Sequence, residues 1–320
     1  MTILVTGGAG FIGSHLVERL AGRGESVVVV DDFNDYYSVG LKRANAERIL
    51  GSGDVRVKEG DIRDAGFLAR VFKGQEFEAI VHLAARAGVR PSLADPRLYL
   101  DVNLNGTLNL LELARARGVE RFIFASSSSV YGASREVPFS EDQAADRPVS
   151  PYGATKRAGE FLVYNYHHLY GVKAVCLRFF TVYGPRQRPD MAIHKFTKAI
   201  EAGKSFPFYG DGTSARDYTY IDDIVDGVTA AVDSGLDYEV INLGDSKPVT
   251  LAGMVETIGE AVGKAPVYER LDDQPGDVPI TFADISKAKR LLGYEPKVAF
   301  REGIKRFVKW YREARAQGLI

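Results

Sequence analysis

The chain opens on an apolar, β-branched run, Ile3-Leu4-Val5, and then changes period: Phe11, Ile12, Leu16, Val17 and Leu20 fall on one stripe of a helix. A strand followed by a helix is expected, with Gly7, Gly10 and Gly13 where one turns into the other. The alternation continues. Ser26 to Val30, Val55-Arg56-Val57, Ala79 to Ala85, Arg121 to Ala125 and Val172 to Leu177 read as further strands, and Pro96 to Arg117 and Pro151 to Tyr170 as long helices. Strands and helices in this rhythm predict an α/β chain built on a doubly wound parallel sheet. From about Gly184 onward, Gly and Pro interrupt both periods, as in Tyr183-Gly184-Pro185, Tyr209-Gly210-Asp211-Gly212 and Gln274-Pro275-Gly276-Asp277. We therefore expect a first domain over 1–183 and a smaller α/β lobe over 184–320, some segments of which return to the first.

Ligands of such sheets bind beyond the carboxyl ends of the strands, where Gly7, Asp31, Asp61, Ala84 and Ser127 all fall. The three early glycines allow a tight turn, a close approach of pyrophosphate to backbone N–H groups, and helix-on-strand packing. Asp31 and Asp32, ending the second strand, stand where a carboxylate meets an adenosine ribose, which makes this a Rossmann-type fold and favours NAD over NADP. Tyr152 and Lys156, spaced i, i+4, share one helix face. A free phenol titrates near ~10, and a neighbouring ammonium favours its ionised form; a surface pair that merely supports the helix is the alternative. Ser127, at a strand end, could share a proton with Tyr152 and a substrate hydroxyl. His82, inside an apolar run, reads as a core histidine satisfied by its neighbours. Arg186, Arg188 and Arg216 lie in the interrupted region and suit phosphate or carboxylate, although loop arginines are also often solvated.

Composition narrows the classes. With 320 residues and 45% hydrophobic content the chain can bury a large core, and a net charge of −1 supplies no field for nucleic acid or an anionic membrane. A single cysteine, Cys176, excludes an internal disulfide framework, no Cys/His cluster has metal-ligand spacing, and no apolar stretch is long enough to span a bilayer. The first strand follows the first residue directly, so no signal peptide is expected and the protein is read as cytoplasmic.

These motifs together resemble the extended short-chain dehydrogenase/reductases, specifically the nucleotide-sugar epimerases and dehydratases. The resemblance rests on Thr6 to Gly13, His82-Leu83-Ala84-Ala85, Ser126 to Gly132, Tyr152 with Lys156, Leu177 to Pro185, and Arg216 to Asp223. It implies a tightly held NAD, Tyr152 as acid/base, Lys156 on the nicotinamide ribose and Ser127 on the reacting hydroxyl. It further implies cofactor contacts along Gly7, Gly10, Phe11, Ile12, Gly13, Asp31, Asp32, Asn34, Asp61, Ile62, Leu83, Ala84, Ala85 and Phe179, with Asn103 supporting the crevice. Tyr209 matches the aromatic stacked on uracil, Arg216 the arginine on the UDP diphosphate, and Arg86, Gln274 and Asp277 belong to the substrate side. A homodimer formed through the two long helices is also implied.

Related dehydratases carry Thr-Asp-Glu before Val-Tyr-Gly, because removing water needs an acid and a carboxylate. Ser127, Ser128 and Ser129 stand there instead, and decarboxylases of this scaffold place a Glu at the position of Ser129. Phe179 to Pro185 followed by Arg188-Pro189-Asp190-Met191-Ala192, with Leu83 to Arg90, looks like the UDP-glucuronate 4-epimerases. Relatives acting on UDP-glucose commonly have Asn where Thr181 stands and Arg where Gln274 stands. Oxidising C4 of a glucuronate makes a β-keto acid, prone to lose CO₂. Ser128, Ser129, Thr181 and Arg188 are the residues expected to clamp the carboxylate out of that reaction. UDP-glucose/UDP-galactose 4-epimerisation, UDP-glucuronate decarboxylation and a non-catalytic nucleotide-binding role remain the alternatives.

Overall fold

The computed structural model describes residues 1–272 and 278–320. Its main sheet has seven parallel strands. Six come first along the chain, β1 (Thr2–Thr6), β2 (Ser26–Asp31), β3 (Val55–Glu59), β4 (Ala79–His82), β5 (Arg121–Ser127) and β6 (Lys173–Phe179). Three strands outside the main sheet follow, β7 (Thr181–Tyr183), β8 (Phe206–Tyr209) and β9 (Ala215–Tyr220), before β10 (Tyr238–Leu243) returns to pair with β6. The order across the sheet is β10-β6-β5-β4-β1-β2-β3, so the winding reverses between β1 and β4. That reversal opens a crevice at the strand ends.

Alternate side chains of β1 show how both faces are covered. Ile3 and Val5 join a core with Leu16, Val17 and Leu20 of α1 (Phe11–Gly22). Leu4 points the other way, into a core with Leu110 and Leu111 and with Val163. The first face is completed by Ile224 and Val228 of the helix Ile221–Asp233, and by Phe307 of the helix Phe300–Ala316. Helices α2 (Val39–Leu50) and α3 (Ala65–Phe72) complete the first repeats.

The segment read as one helix over Pro96 to Arg117 is interrupted. Following α4 (Val89–Ala94) come α5 (Pro96–Leu100), a wide π turn over Asp101–Asn105, and α6 (Gly106–Arg117). Such a turn inserts a residue without breaking the helix, and it sets Asn103 inward. The second long helix, α7, runs Pro151–Tyr170 as expected; Ser150 Oγ accepts from the Gly153 N–H at 3.1 Å and Pro151 occupies the first turn.

Outside the main sheet β7 pairs with β9, which also pairs with Pro248–Thr250 and Ile280–Thr281, while β8 pairs with Tyr268–Leu271. Among the described residues no helix is long and apolar enough to cross a membrane.

Candidate active site

A cavity of about 380 Å³ opens at the carboxyl ends of β1, β2, β4, β5 and β6. Gly7 has φ +73°, and a Cβ there would lie 2.8 Å from the Ala84 backbone nitrogen; at Gly13 it would lie 2.2 Å from the Gly7 carbonyl oxygen. The turn therefore closes only with glycine at both positions. At the start of α1 no side chain caps the helix and no acid lies in its first turn. The N–H groups of Phe11 and Ile12 consequently face the cavity with the positive end of the helix dipole.

Across the crevice, Asp31 Oδ2 accepts from the Ala9 N–H at 3.1 Å and Oδ1 from the Phe33 N–H at 3.0 Å, and burial raises its pKa. Asp32 Oδ1 accepts from the Asn34 N–H at 3.1 Å. The Tyr37 hydroxyl is buried beside Gly10 without a partner. A pyrophosphate-binding helix end, ribose acceptors and an unpaired donor along one trough fit a dinucleotide. Asp61, Ile62, Leu83, Ala84, Ala85 and Phe179 line the same trough.

Asn103 lies behind the wall. Its Oδ1 accepts from the Arg86 N–H at 2.8 Å, and its Nδ2 donates to the Arg86 carbonyl and to Thr155 Oγ1, both at 3.0 Å. It holds the loop after β4 against α7.

At the other end Tyr152, Lys156, Ser127, Ser128, Ser129, Thr181, Arg86 and Arg188 meet. Burial raises the Tyr152 pKa; a hydrogen bond with Ser127 and the Arg188 charge pull it back, and Tyr36 pushes it up. Lys156, expected from the sequence to supply a charge to this phenol, lies one turn further along α7 and lines the same cavity. Lys156 reaches past the phenol to donate from Nζ to the Ala125 carbonyl at 2.7 Å, and burial lowers its pKa to about 8 against the pull of Glu160. Arg188, from the loop after β7, also brings a cation to the phenol.

Glu160, one further turn along, is gripped by Arg178 through two bonds of 2.8 Å and accepts from Ser126 Oγ at 2.5 Å. This network braces the end of β5 that carries Ser127. Arg188 donates from Nε and Nη2 to Asp190 at 3.0 and 2.9 Å.

Several candidates lie elsewhere. Arg186 is buried against α1, donating to Glu18 at 2.5 Å and to His15 Nε2 at 3.2 Å, so it does not reach the cavity. Tyr209 and Arg216 also lie outside the cavity lining; Arg216 Nη1 donates to the carbonyls of Ala215 and Pro279 at 2.9 and 3.2 Å. Gln274 and Asp277 fall outside the described residues. The lining also includes Met191, from the motif around Arg188, and Tyr36, Tyr37 and Lys42, which the sequence did not single out. Their signal was weak: two adjacent tyrosines just beyond Asp31 in an otherwise polar stretch.

Comparison with known proteins follows the same lines. A family model described as GDP-mannose 4,6 dehydratase matches residues 4–307. The chain belongs to this family of extended short-chain dehydrogenases/reductases. It is 47% identical over 311 residues to the UDP-glucuronate 4-epimerase of Thermodesulfobacterium geofontis, covering 97% of this chain and 96% of the relative. It superposes with a TM-score of 0.91 at 38% identity on the Bacillus cereus UDP-glucuronic acid 4-epimerase crystallised with UDP-glucuronic acid and NAD, covering 98% and 99% of the two chains. The Thermotoga maritima UDP-glucose 4-epimerase with UDP-glucose gives 0.90 at 36% identity, covering 98% and 100%.

Proposed function

We propose that the protein is an NAD-dependent UDP-glucuronate 4-epimerase, interconverting UDP-glucuronate and UDP-galacturonate through a 4-keto sugar. The observation that carries this reading is that Tyr152 shares one cavity with Ser128, Ser129, Thr181 and Arg188, three hydroxyls and a cation suited to a carboxylate. The position that supplies two acids in dehydratases holds Ser128 and Ser129, so the family model's printed description does not transfer as an activity.

In this reading the glycine turn and the α1 N–H groups hold the pyrophosphate, while Asp31 and Asp32 hold the adenosine ribose. NAD held in this trough would supply hydride acceptor and donor chemistry at C4 of the sugar. Tyr152 Oη takes the proton of the 4-hydroxyl as the carbonyl forms and gives it back on reduction. Ser127 Oγ orients that hydroxyl, and Lys156 holds the cofactor ribose. Arg188 and the three hydroxyls keep the carboxylate bond out of line with the C4 carbonyl, which suppresses loss of CO₂. On the other lobe Tyr209 and Arg216 serve the uridine diphosphate.

The test is incubation of purified protein with UDP-glucuronate and UDP-glucose separately, with products identified by NMR. UDP-galacturonate is the expected product. Turnover of UDP-glucose alone would move the assignment to UDP-glucose 4-epimerase, and CO₂ with a UDP-pentose would move it to decarboxylase.

We infer further that the chain forms a homodimer and works in the cytoplasm. Leu93, Leu100, Leu108 and Phe161 are exposed by 62%, 50%, 38% and 53% on helices that pack together, α4 to α7, an apolar surface suited to a symmetric partner. The lone buried Cys176 suits a reducing compartment. Sedimentation should give twice the 35.1 kDa chain mass; a species of the single-chain mass at working concentration would remove the dimer.

A further inference from the structure

Arg188 does not enter the cavity as a bare cation. Asp190 takes its Nε–H and an Nη2–H in a side-on pair, at 3.0 and 2.9 Å, and Met191 Sδ lies 3.6 Å from Nη2. The guanidinium also sits over the Tyr36 ring, 5.3 Å from its centroid. Tyr36 is itself fixed: its hydroxyl donates to the Ala87 carbonyl at 2.7 Å, and the same oxygen accepts from the Tyr99 hydroxyl at 2.7 Å. The Tyr99 ring meets the Tyr152 ring edge-on at 6.3 Å. A continuous bracket thus runs from Asp190 through Arg188, Tyr36, Ala87 and Tyr99 to Tyr152.

A carboxylate arriving at Arg188 finds the edge best matched to it already taken and much of the charge already offset. What remains is the Nη1 side, and pairing with Asp190 confines it to one direction. This matters for an epimerase more than for an enzyme that binds its sugar once. The keto sugar must leave one pose, turn, and settle in another, so any contact stronger in the starting pose than in the turning one slows the step.

Resting on the UDP-glucuronate reading, we propose that Asp190 and Tyr36 are positioning residues that present Arg188 as a directed, charge-offset donor, so that the sugar carboxylate is oriented at rest yet released when the ring turns. The occupant is the hexuronate carboxylate. A UDP-hexose without that group is indifferent to the device.

Asp190→Asn keeps the shape and removes the offsetting charge. Its side chain is 37% exposed, so the fold has little stake in it. With NAD-loaded protein and UDP-glucuronate, KM should fall about fivefold, the size of a part-exposed charge contact, and kcat should fall by at least as much as the sugar is held too firmly. The acid limb of the pH–rate profile should also move to lower pH, because Arg188 then acts on Tyr152 with less of its charge offset. The other groups facing that phenol, Tyr36, Tyr99 and Ser127, and Lys156 beneath, are unchanged in this variant. Tyr36→Leu removes the ring and should raise KM for UDP-glucuronate while leaving NAD binding intact. Tyr36→Phe should stay closer to the parent. The outcomes separate cleanly. If the parent protein turns over UDP-glucose and not UDP-glucuronate, the functional reading and this proposal fall together. If it turns over UDP-glucuronate but Asp190→Asn raises KM, or changes nothing in KM, kcat and pH profile, the functional reading stands and the proposal is overturned.

Discussion

A phenol in a buried cavity ionises only as far as its surroundings allow, and burial dominates at Tyr152, with Ser127 and Arg188 opposing it. Tyr152→Phe should retain NAD and the fold while activity drops by roughly two to four orders of magnitude, the range of a positioned acid–base group; near-parental rates would remove Tyr152 from the mechanism. Arg188→Gln should move the acid limb of the pH–rate profile upward. The sign follows from charge: the ionised phenol loses a stabilising cation, so its pKa rises and the base is unmasked later. An unmoved limb would mean that Arg188 is too well screened by Asp190 to matter to the proton transfer. The Tyr152/Lys156 pair was legible because i, i+4 spacing is local information. That Lys156 ties to the β5 backbone, and that Arg188 also acts on the phenol, was not legible. Neither the depth of a side chain in a layer nor the meeting of positions 152 and 188 is written in a spacing.

Among the elements, the first strand, the glycine turn and α7 carry strong local codes: an apolar run, residues permitting a tight turn, and a Ser-Pro start. Their structural bounds follow the sequence reading closely. The π turn at Asp101–Asn105 carries no such code, since none of its residues is one that an α-helix excludes. Yet it is what aims Asn103 at the Arg86 loop. Asn103→Ala should therefore act on that loop: one buried and two part-buried hydrogen bonds go, and the Arg86 N–H and carbonyl lose their partners. A stability loss of about 1–3 kcal/mol in chemical denaturation is expected. KM for the nucleotide sugar should rise with it, because Arg86 lines the cavity. A stability loss with unchanged KM would confine Asn103 to a purely structural role. The short strands outside the main sheet were equally hidden, since runs such as Phe206–Tyr209 are too brief for a period to show.

At the scale of the whole molecule, a parallel sheet covered on both faces forces polar groups in its strands to find partners inside, and His82 shows the consequence. The Thr107 hydroxyl donates to the Asn103 carbonyl at 2.6 Å, so its oxygen accepts from His82 Nε2–H at 2.9 Å. Nδ1 is then the acceptor for the Thr6 hydroxyl at 2.7 Å. The ring is satisfied while neutral, as its place in an apolar run suggested, and burial lowers its pKa to about 3. A base whose folded pKa lies below its unfolded value near 6.5 costs stability as acid is added, because the unfolded chain takes the proton first. From about pH 6.5 down toward 3 this group alone should remove about 1.4 kcal/mol per pH unit. Other groups titrate in the same window: His15, also lowered to about 3, adds to the loss, while Asp245, pushed up to about 6 by burial, opposes it. The measurement must therefore be a difference. Urea unfolding of the parent and of His82→Gln, at pH 7.5 and at pH 5, should show the parent losing about 2 kcal/mol more between the two conditions than the variant. Equal losses in both would place a proton on His82 in the folded protein, and the Thr6–His82–Thr107 chain would then have to be redrawn with both ring nitrogens as donors.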